Sequence, residues 1–263
     1  IKVKKSISSN KSSFIQRNPH IAFTYPTLIV ITLLFVTPIL FTIIASFTNF
    51  RIGNKISDAS FIGADNYIRL FDGSQSNFGF SVYISILMTV LGTGLQLVIG
   101  MASAMLLNRD IKLKSLVIAC LILPIAMTPS IASQMWKLML NMEFGIINYY
   151  LKQFFNTAIP WLSADFAFIS CMIAMVWQFT PQVTLMLYAG LRSLPEEPYE
   201  SAIVDGANKV QIFFRVTLPM MKRLILLCVL LRTVDMLKTF DIPYTLTQGG
   251  PGSATKFLGL LIY

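Results

Sequence analysis

The sequence predicts an all-α integral membrane protein built as a polytopic helical bundle. Of its 263 residues, 55% are hydrophobic and only 13% are charged, and the mean hydropathy is +0.67. Soluble domains carry about 25% charged residues, and so large an apolar excess does not fit a single soluble core. Several apolar segments also reach the length that a bilayer requires.

Five segments are long enough to be complete spans, since a transmembrane helix needs about 20 apolar residues. They cover residues 21–47, 82–107, 116–138, 166–191 and 224–240. The last of these is interrupted by Arg232, Asp235 and Lys238, and a sixth apolar stretch starts at Phe257. Prolines within the spans are Pro26, Pro38, Pro124, Pro129 and Pro181. Each removes a backbone donor, and whether these prolines bend their helices is left open.

The distribution of lysine and arginine predicts the orientation. Basic residues concentrate in the N-terminal tail (residues 1–20), in the loop at 109–114 and in the loop at 193–219, whereas the intervening loops carry fewer. The positive-inside rule places these three basic regions in the cytoplasm. The net charge of +9 therefore reflects membrane topology and does not indicate nucleic-acid binding.

Residues for catalysis or metal binding are scarce. Cys120, Cys171 and Cys228 lie inside apolar segments without metal-like spacing, and His20 is the only histidine. No GxxxxGK[ST] phosphate-binding run occurs. We therefore predict no catalytic site, no metal site and no cofactor in this chain.

The segment at residues 193–219, called the polar loop below, is the most informative stretch. Pro198 and Glu200 suit the first turn of a helix, and Asp205-Gly206 is a turn signal. Apolar residues then recur until Pro219, which we expect to break the pattern before the fifth span. We predict a helix, a tight turn and a second helix lying along the membrane surface, with Phe213 and Phe214 in the interface. An amphipathic connector without a partner is the alternative.

The polar loop resembles the EAA motif of ABC importer permeases, which reads Glu-Ala-Ala, three residues, Gly, nine residues, Ile, one residue, Leu-Pro. The matching residues are Glu200, Ser201, Ala202, Gly206, Val216, Leu218 and Pro219. Ser201 replaces the central alanine and Val216 the isoleucine.

Other stretches resemble the carbohydrate-type (MalF/UgpA-like) branch of these permeases. Residues 61–67 resemble its FxGxxNY stretch, residues 106–109 its LLNR, and residues 240–255 its FD…LTxGGP…T signature. The resemblance implies the type I permease fold and a final helix that continues beyond the GGP segment.

The resemblance also implies a function and partners. The chain would be a permease subunit in a bacterial or archaeal cytoplasmic membrane, importing a sugar or sugar-like solute. It would pair with a second homologous permease, two ATP-binding subunits that hold ATP and Mg, and an extracytoplasmic solute-binding protein. The ATPase-coupling residues would be Glu200, Ser201, Ala202, Asp205, Gly206 and Ala207.

Polar residues within spans are candidates for the solute pathway, because they are costly there and often functional. Gln178 and Gln182 flank Pro181 one turn apart, Trp177 adjoins them, and Asp235 lies in the fifth span. An amide pair beside an aromatic ring suits sugar hydroxyls and sugar faces. The alternative for each residue is an interhelical hydrogen bond or an internal ion pair.

Other functions remain open at this point. An ABC permease for a polyamine or a phosphate ester is one, and a stand-alone secondary transporter is another. The latter would need inverted repeats or an intramembrane ion relay, and neither is evident. The identity of the solute does not follow from the sequence.

Overall fold

The computed structural model describes residues 19–51, 53, 55, 58–72 and 77–262. Within these residues the chain is helical and forms no β-strand, as predicted. The helices are α1 (Pro19–Ile31), α2 (Thr37–Ser46), α3 (Asp65–Phe71), α4 (Phe78–Leu107), α5 (Lys114–Ala126), α6 (Pro129–Met139), α7 (Ile146–Phe155), α8 (Ala167–Arg192), α9 (Glu197–Val204), α10 (Lys209–Ile212), α11 (Leu218–Leu237), α12 (Asp241–Thr247) and α13 (Leu258–Ile262). The predicted N-terminal tail lies almost entirely outside the described residues.

Among the described residues, three helical segments are long and apolar enough to cross a membrane. They are Thr24–Ser46, Phe78–Leu107 and Ala167–Arg192, and the pair α5–α6 makes a fourth if it counts as one span. The fifth predicted span is the continuous helix α11, but its charged side chains keep it outside this set. The count of five complete spans therefore stays a prediction.

The third predicted span is broken. Helices α5 and α6 meet at 97°, and between them Met127 and Thr128 are extended, with ψ of 141° and 144°. Pro129 explains the break, because a residue that precedes proline is disfavoured in the α region. Pro181, in contrast, lies inside the uninterrupted helix α8.

Two prolines follow π-helical turns in the same register. Residues Thr32–Val36 form a π turn two residues before Pro38, and Phe213–Thr217 form one two residues before Pro219. A proline ring clashes with the carbonyl four residues earlier, and a π turn displaces that carbonyl. Each helix therefore continues through its proline.

The chain divides into two compact units, residues 1–76 and residues 77–263. In the first unit, Asn66 Nδ2 donates to the carbonyls of Ser46 and Thr48, each at 2.8 Å. The Tyr67 hydroxyl lies 2.8 Å from Ser46 Oγ. Asn66 of the FxGxxNY stretch thus caps the end of the Thr24–Ser46 segment, whose last carbonyls lack helical partners, and Tyr67 contacts the Ser46 side chain.

In the second unit, α4 and α8 share the largest helix–helix interface, and α11 packs against both. One apolar cluster, which includes Met101, Val183 and Leu187, lies towards the polar loop. The other includes Met88 and Phe257 and is closed by α12. Helices α4, α8 and α11 carry the polar side chains that meet deep in the bundle, described below.

The residues of the GGP signature form one compact turn after α12. The hydroxyl groups of Thr247 and Thr255 form a hydrogen bond, with their oxygens 2.6 Å apart. Thr255 Oγ1 also donates to the Gly250 carbonyl at 3.2 Å. The Leu258 amide donates to Ser85 Oγ of α4 at 2.8 Å. The signature therefore fastens the start of α13 to the bundle.

Two glycines of α4, Gly94 and Gly100, differ in the space that surrounds them. A Cβ on Gly100 would lie 2.9 Å from Val183 Cγ1 and 3.3 Å from the Thr184 backbone nitrogen, whereas a Cβ on Gly94 would meet nothing within 4 Å. Gly100 therefore permits the close α4–α8 approach, while Gly94 lies on an open side.

We predict that Gly100→Ala lowers the melting temperature of the purified protein, whereas Gly94→Ala does not lower it, because alanine is the better helix former and meets no neighbour there. Overpacking of this kind costs about 1–3 kcal/mol because side chain and backbone must shift. Intrinsic tryptophan fluorescence in detergent during heating measures the effect. Equal melting temperatures for the two variants would contradict the assigned packing.

Candidate functional site

The first helix of the polar loop ends in a well-formed cap. The Gly206 amide donates to the Ile203 carbonyl at 3.0 Å, and the Ala207 amide donates to the Ala202 carbonyl at 2.9 Å. This is the Schellman pattern, which requires a left-handed residue, and Gly206 has φ +78°. In the EAA motif, Ala202 thus supplies the carbonyl and Gly206 the left-handed residue of a single helix cap. The predicted tight turn is confirmed.

A second cap follows at once. The Asn208 side chain accepts from the Gln211 amide at 2.9 Å, and the Gln211 side chain accepts from the Asn208 amide at 2.8 Å. This capping box starts α10. Our sequence reading missed it, although an Asn followed three residues later by Gln is the usual signal.

The second half of the loop differs from the prediction. Pro219 does not end the helix, because the π turn at Phe213–Thr217 carries α10 directly into α11. Phe213 packs against the apolar cluster near Leu187 and so does not lie in the interface as predicted, whereas Phe214 is exposed. The Tyr199 hydroxyl donates to Thr217 Oγ1 at 3.1 Å and ties the two halves of the loop together.

The predicted coupling residues lie together at the tip of the loop. Glu200, Ser201, Asp205 and Gly206 are exposed, and Ala202 and Ala207 are half-buried. Two large apolar side chains share the tip: Ile203 is 64% exposed and Val204 is 86% exposed. The loop therefore presents carboxylates, small residues and uncovered apolar surface on one short, firmly capped helix.

A cavity of about 660 Å³ opens beneath the loop, between the ends of α4 and α8. It is called the loop cavity below. Arg109, Arg192, Lys209 and Glu196 contribute its charged side chains, and Thr217 contributes to its floor.

Deeper in the bundle, Arg232 is only 2% exposed. Its Nε donates to Gln96 Oε1 at 2.9 Å, and its Nη1 lies 3.5 Å from Gln182 Oε1 and 3.4 Å from Asp235 Oδ2. The guanidinium also lies 4.5 Å from the centre of the Phe179 ring. This group, called the arginine network below, joins α4, α8 and α11.

Asp235 is the open member of the arginine network. Its carboxylate is 45% exposed and lies 3.6 Å from Lys238 Nζ as well as 3.4 Å from Arg232. It borders a cleft of about 290 Å³, called the acidic cleft below. The other polar and aromatic residues of that cleft are Lys238, Thr239, Asp241, Phe179 and Phe240.

The predicted pathway residues do not form one cluster. Gln182 and Asp235 meet through Arg232, but Gln178 is buried and its Nε2 donates to the Met127 carbonyl at 3.0 Å, at the α5–α6 break. Trp177 packs edge-on against Trp136, with ring centres 5.8 Å apart. Gln178 thus makes the interhelical hydrogen bond that we gave as its alternative.

Sequence reasoning missed Gln96, Phe179 and Trp136 as members of these contacts. Gln96 could have been noticed, since an amide in the middle of an apolar span needs a partner. Within the described residues no group of three or more His, Cys, Asp or Glu side chains could hold a metal ion.

The sequence of this chain is similar to a known protein family and to individual transport proteins. Residues 96–263 match the family model described as "Binding-protein-dependent transport system inner membrane component". The trehalose/maltose transport system permease protein MalF of Thermococcus litoralis is 35% identical over 209 residues, which cover 79% of this chain and 70% of that protein. The sulfoquinovosyl glycerol transport system permease protein SmoG of Agrobacterium fabrum is 32% identical over 239 residues, with 90% and 77% covered.

A solved structure has the same fold. It is described as the crystal structure of a bacterial alginate ABC transporter in complex with alginate pentasaccharide-bound periplasmic protein. The TM-score is 0.76 at 20% identity, and the alignment covers 94% of this chain and 81% of that one. With a family model over most of its length and relatives above 30% identity, this chain belongs to the inner-membrane components of binding-protein-dependent transport systems.

Proposed function

We propose that this protein is a permease subunit of an ATP-driven importer for a sugar or oligosaccharide. The relatives named for trehalose/maltose and sulfoquinovosyl glycerol, and the structural neighbour named for alginate, all handle carbohydrates or carbohydrate derivatives. The observation that carries the coupling role is the tip of the polar loop, where Ile203 and Val204 are exposed beside Glu200 and Gly206.

The proposal includes the partners that such a subunit needs. ATP and Mg are held by two ATPase subunits that bind the polar loop from the cytoplasm, and a second permease completes the pathway. A solute-binding protein delivers the sugar on the other side. In this arrangement the N-terminus and the loops at 109–114 and 193–219 are cytoplasmic, in keeping with their basic residues.

The coupling mechanism rests on a continuous helical path. From Lys209 the chain runs through the π turn into α11 and reaches Arg232 without a break. At 1.5 Å per residue this path is about 35 Å long. An ATPase that moves the loop therefore moves the helix that bears the arginine network, and a rigid-body shift of α11 changes access to the acidic cleft.

The acidic cleft is the proposed solute path in this chain. Asp235 and Asp241 offer acceptors for sugar hydroxyls, and Phe179 and Phe240 offer ring faces. Gln182 lies next to Asp235 through Arg232. Trp177 packs against Trp136, and Gln178 Nε2 donates to the Met127 carbonyl, so a movement of the α5–α6 break would free both side chains. Gln178 Oε1 has no hydrogen-bond partner among the described residues, which keeps this residue a candidate.

We predict that Gly206→Val uncouples transport while Gly206→Asn does not. A Cβ at Gly206 meets nothing within 4 Å, so the effect of a substitution depends on how well the new residue tolerates φ +78°. A β-branched residue in the left-handed region costs about 1–2 kcal/mol or more, whereas asparagine tolerates it. Assembled complexes should hydrolyse ATP with several-fold less sugar uptake for the valine variant.

Sugar uptake per ATP hydrolysed, measured in proteoliposomes with the binding protein, separates uncoupling from poor assembly. If the valine variant carried sugar as efficiently as the asparagine variant, the loop cap would have no role in coupling.

We predict that Asp235→Asn lowers sugar uptake at least about tenfold, because charged hydrogen bonds contribute about 1.5–3 kcal/mol each. The matched control is Asp65→Asn, since Asp65 is similarly exposed and also pairs with an arginine, Arg69, but lies in the other unit. Uptake by reconstituted importer at saturating binding protein is the measurement. Unchanged uptake with Asp235→Asn would place the solute path elsewhere.

A further inference from the structure

The loop cavity has a charge imbalance that the coupling mechanism does not use. Arg109 follows the end of α4, Arg192 ends α8 and Lys209 starts α10, so three separate elements each contribute one cation. Among the described residues, Glu196 is the only acidic one that lines this cavity.

The three cations lack partners of their own. Within the part of the chain that the structure describes, none of their side chains makes a hydrogen bond, an ion pair or a ring contact. Leu191 and Thr217 also line the cavity and are buried, and Leu191 belongs to the apolar cluster. A concave site lined by two guanidinium groups and one ammonium group without partners is suited to a phosphate group.

The position of the cavity indicates where such a phosphate would come from. Its walls include the ends of Phe78–Leu107 and Ala167–Arg192, two segments that are long and apolar enough to cross a membrane. The ends of such segments lie at the level of lipid headgroups. Leu106, Val210 and Phe214 are exposed and each follows a lining residue in sequence, and such apolar side chains suit the acyl boundary below those headgroups.

We propose that the loop cavity binds the headgroup of an anionic phospholipid. Basic pockets between membrane helices are known to take such headgroups. Both arginines and Lys209 would contact the phosphate region, and the bound lipid would join α4 and α8 to the base of the polar loop.

Tyr199 lines the cavity, and at 100° per residue Ser201 and Val204 lie about 140–160° around α9 from it. A lipid in the cavity would therefore leave Ser201 and Val204 open to an ATPase, whereas Ile203, about 40° from Tyr199, lies on the cavity side of the helix.

The test compares two triple variants of the assembled importer. R109Q/R192Q/K209Q removes the cavity cations. R215Q/K222Q/R223Q removes the same residue types from exposed positions outside the cavity. Each complex is reconstituted in nanodiscs of phosphatidylcholine with phosphatidylglycerol, extracted, and analysed for retained lipid by native mass spectrometry.

We expect the wild-type complex and the control variant to retain phosphatidylglycerol, and the cavity variant to retain at least about tenfold less. Equal retention by the cavity variant would overturn the proposal. So would binding of glycerol 1-phosphate or inorganic phosphate in place of the lipid, which would make the ligand a soluble phosphate. Loss of ATPase subunits with unchanged lipid would identify the cavity as a protein contact. Retained lipid is read without transport, so this result does not depend on the solute assignment.

Discussion

A guanidinium buried among apolar helices constrains this membrane domain more than any other group. Arg232 cannot be hydrated in its position, so the protein must supply its hydrogen bonds. Gln96 does so from α4 and Gln182 from α8, while Asp235 supplies charge from α11 itself. Any movement of one of the three helices must therefore keep or exchange these partners, and a few discrete arrangements are favoured over gradual sliding.

A continuous helical backbone joins the polar loop to the arginine network. Had Pro219 ended the helix, the loop would be attached to α11 through a flexible link. The π turn removes the clash that the proline ring would cause, and the helix continues. The Tyr199–Thr217 hydrogen bond fixes α9 to this turn, so a force on the tip is transmitted to α11. The two caps at Gly206 and Asn208 serve the same end, because they hold the tip in one conformation.

Local features of the fold could be read from the sequence, whereas the partners of polar side chains could not. The positions of the long apolar helices α4 and α8, the left-handed Gly206 and the start of α9 follow from hydropathy, glycine and proline, whose effects are local. The break before Pro129 and the continuity through Pro219 involve the same residue type with opposite outcomes. A π turn precedes Pro219 and none precedes Pro129, yet α8 continues through Pro181 without one, so the residue type alone does not predict the outcome. Gln178 likewise had two interpretations, a solute contact or an interhelical hydrogen bond. The folded structure places its amide against the Met127 carbonyl, which the sequence did not indicate.

The polar atoms inside the bundle differ in how fully they are used, and this limits where a solute can bind. Gln96 is fully buried, its Oε1 accepts from Arg232 and its Nε2 donates to the Met175 carbonyl at 3.2 Å. Recruiting it to a sugar would leave buried groups unpaired, which costs more than one hydroxyl contact returns. Asp235 is different, since its carboxylate reaches both cations while nearly half of it faces open space. A sugar hydroxyl can add to that carboxylate without breaking an existing contact. These contacts support the proposed solute path on the Asp235 side of α11, where Arg232 holds the carboxylate from behind.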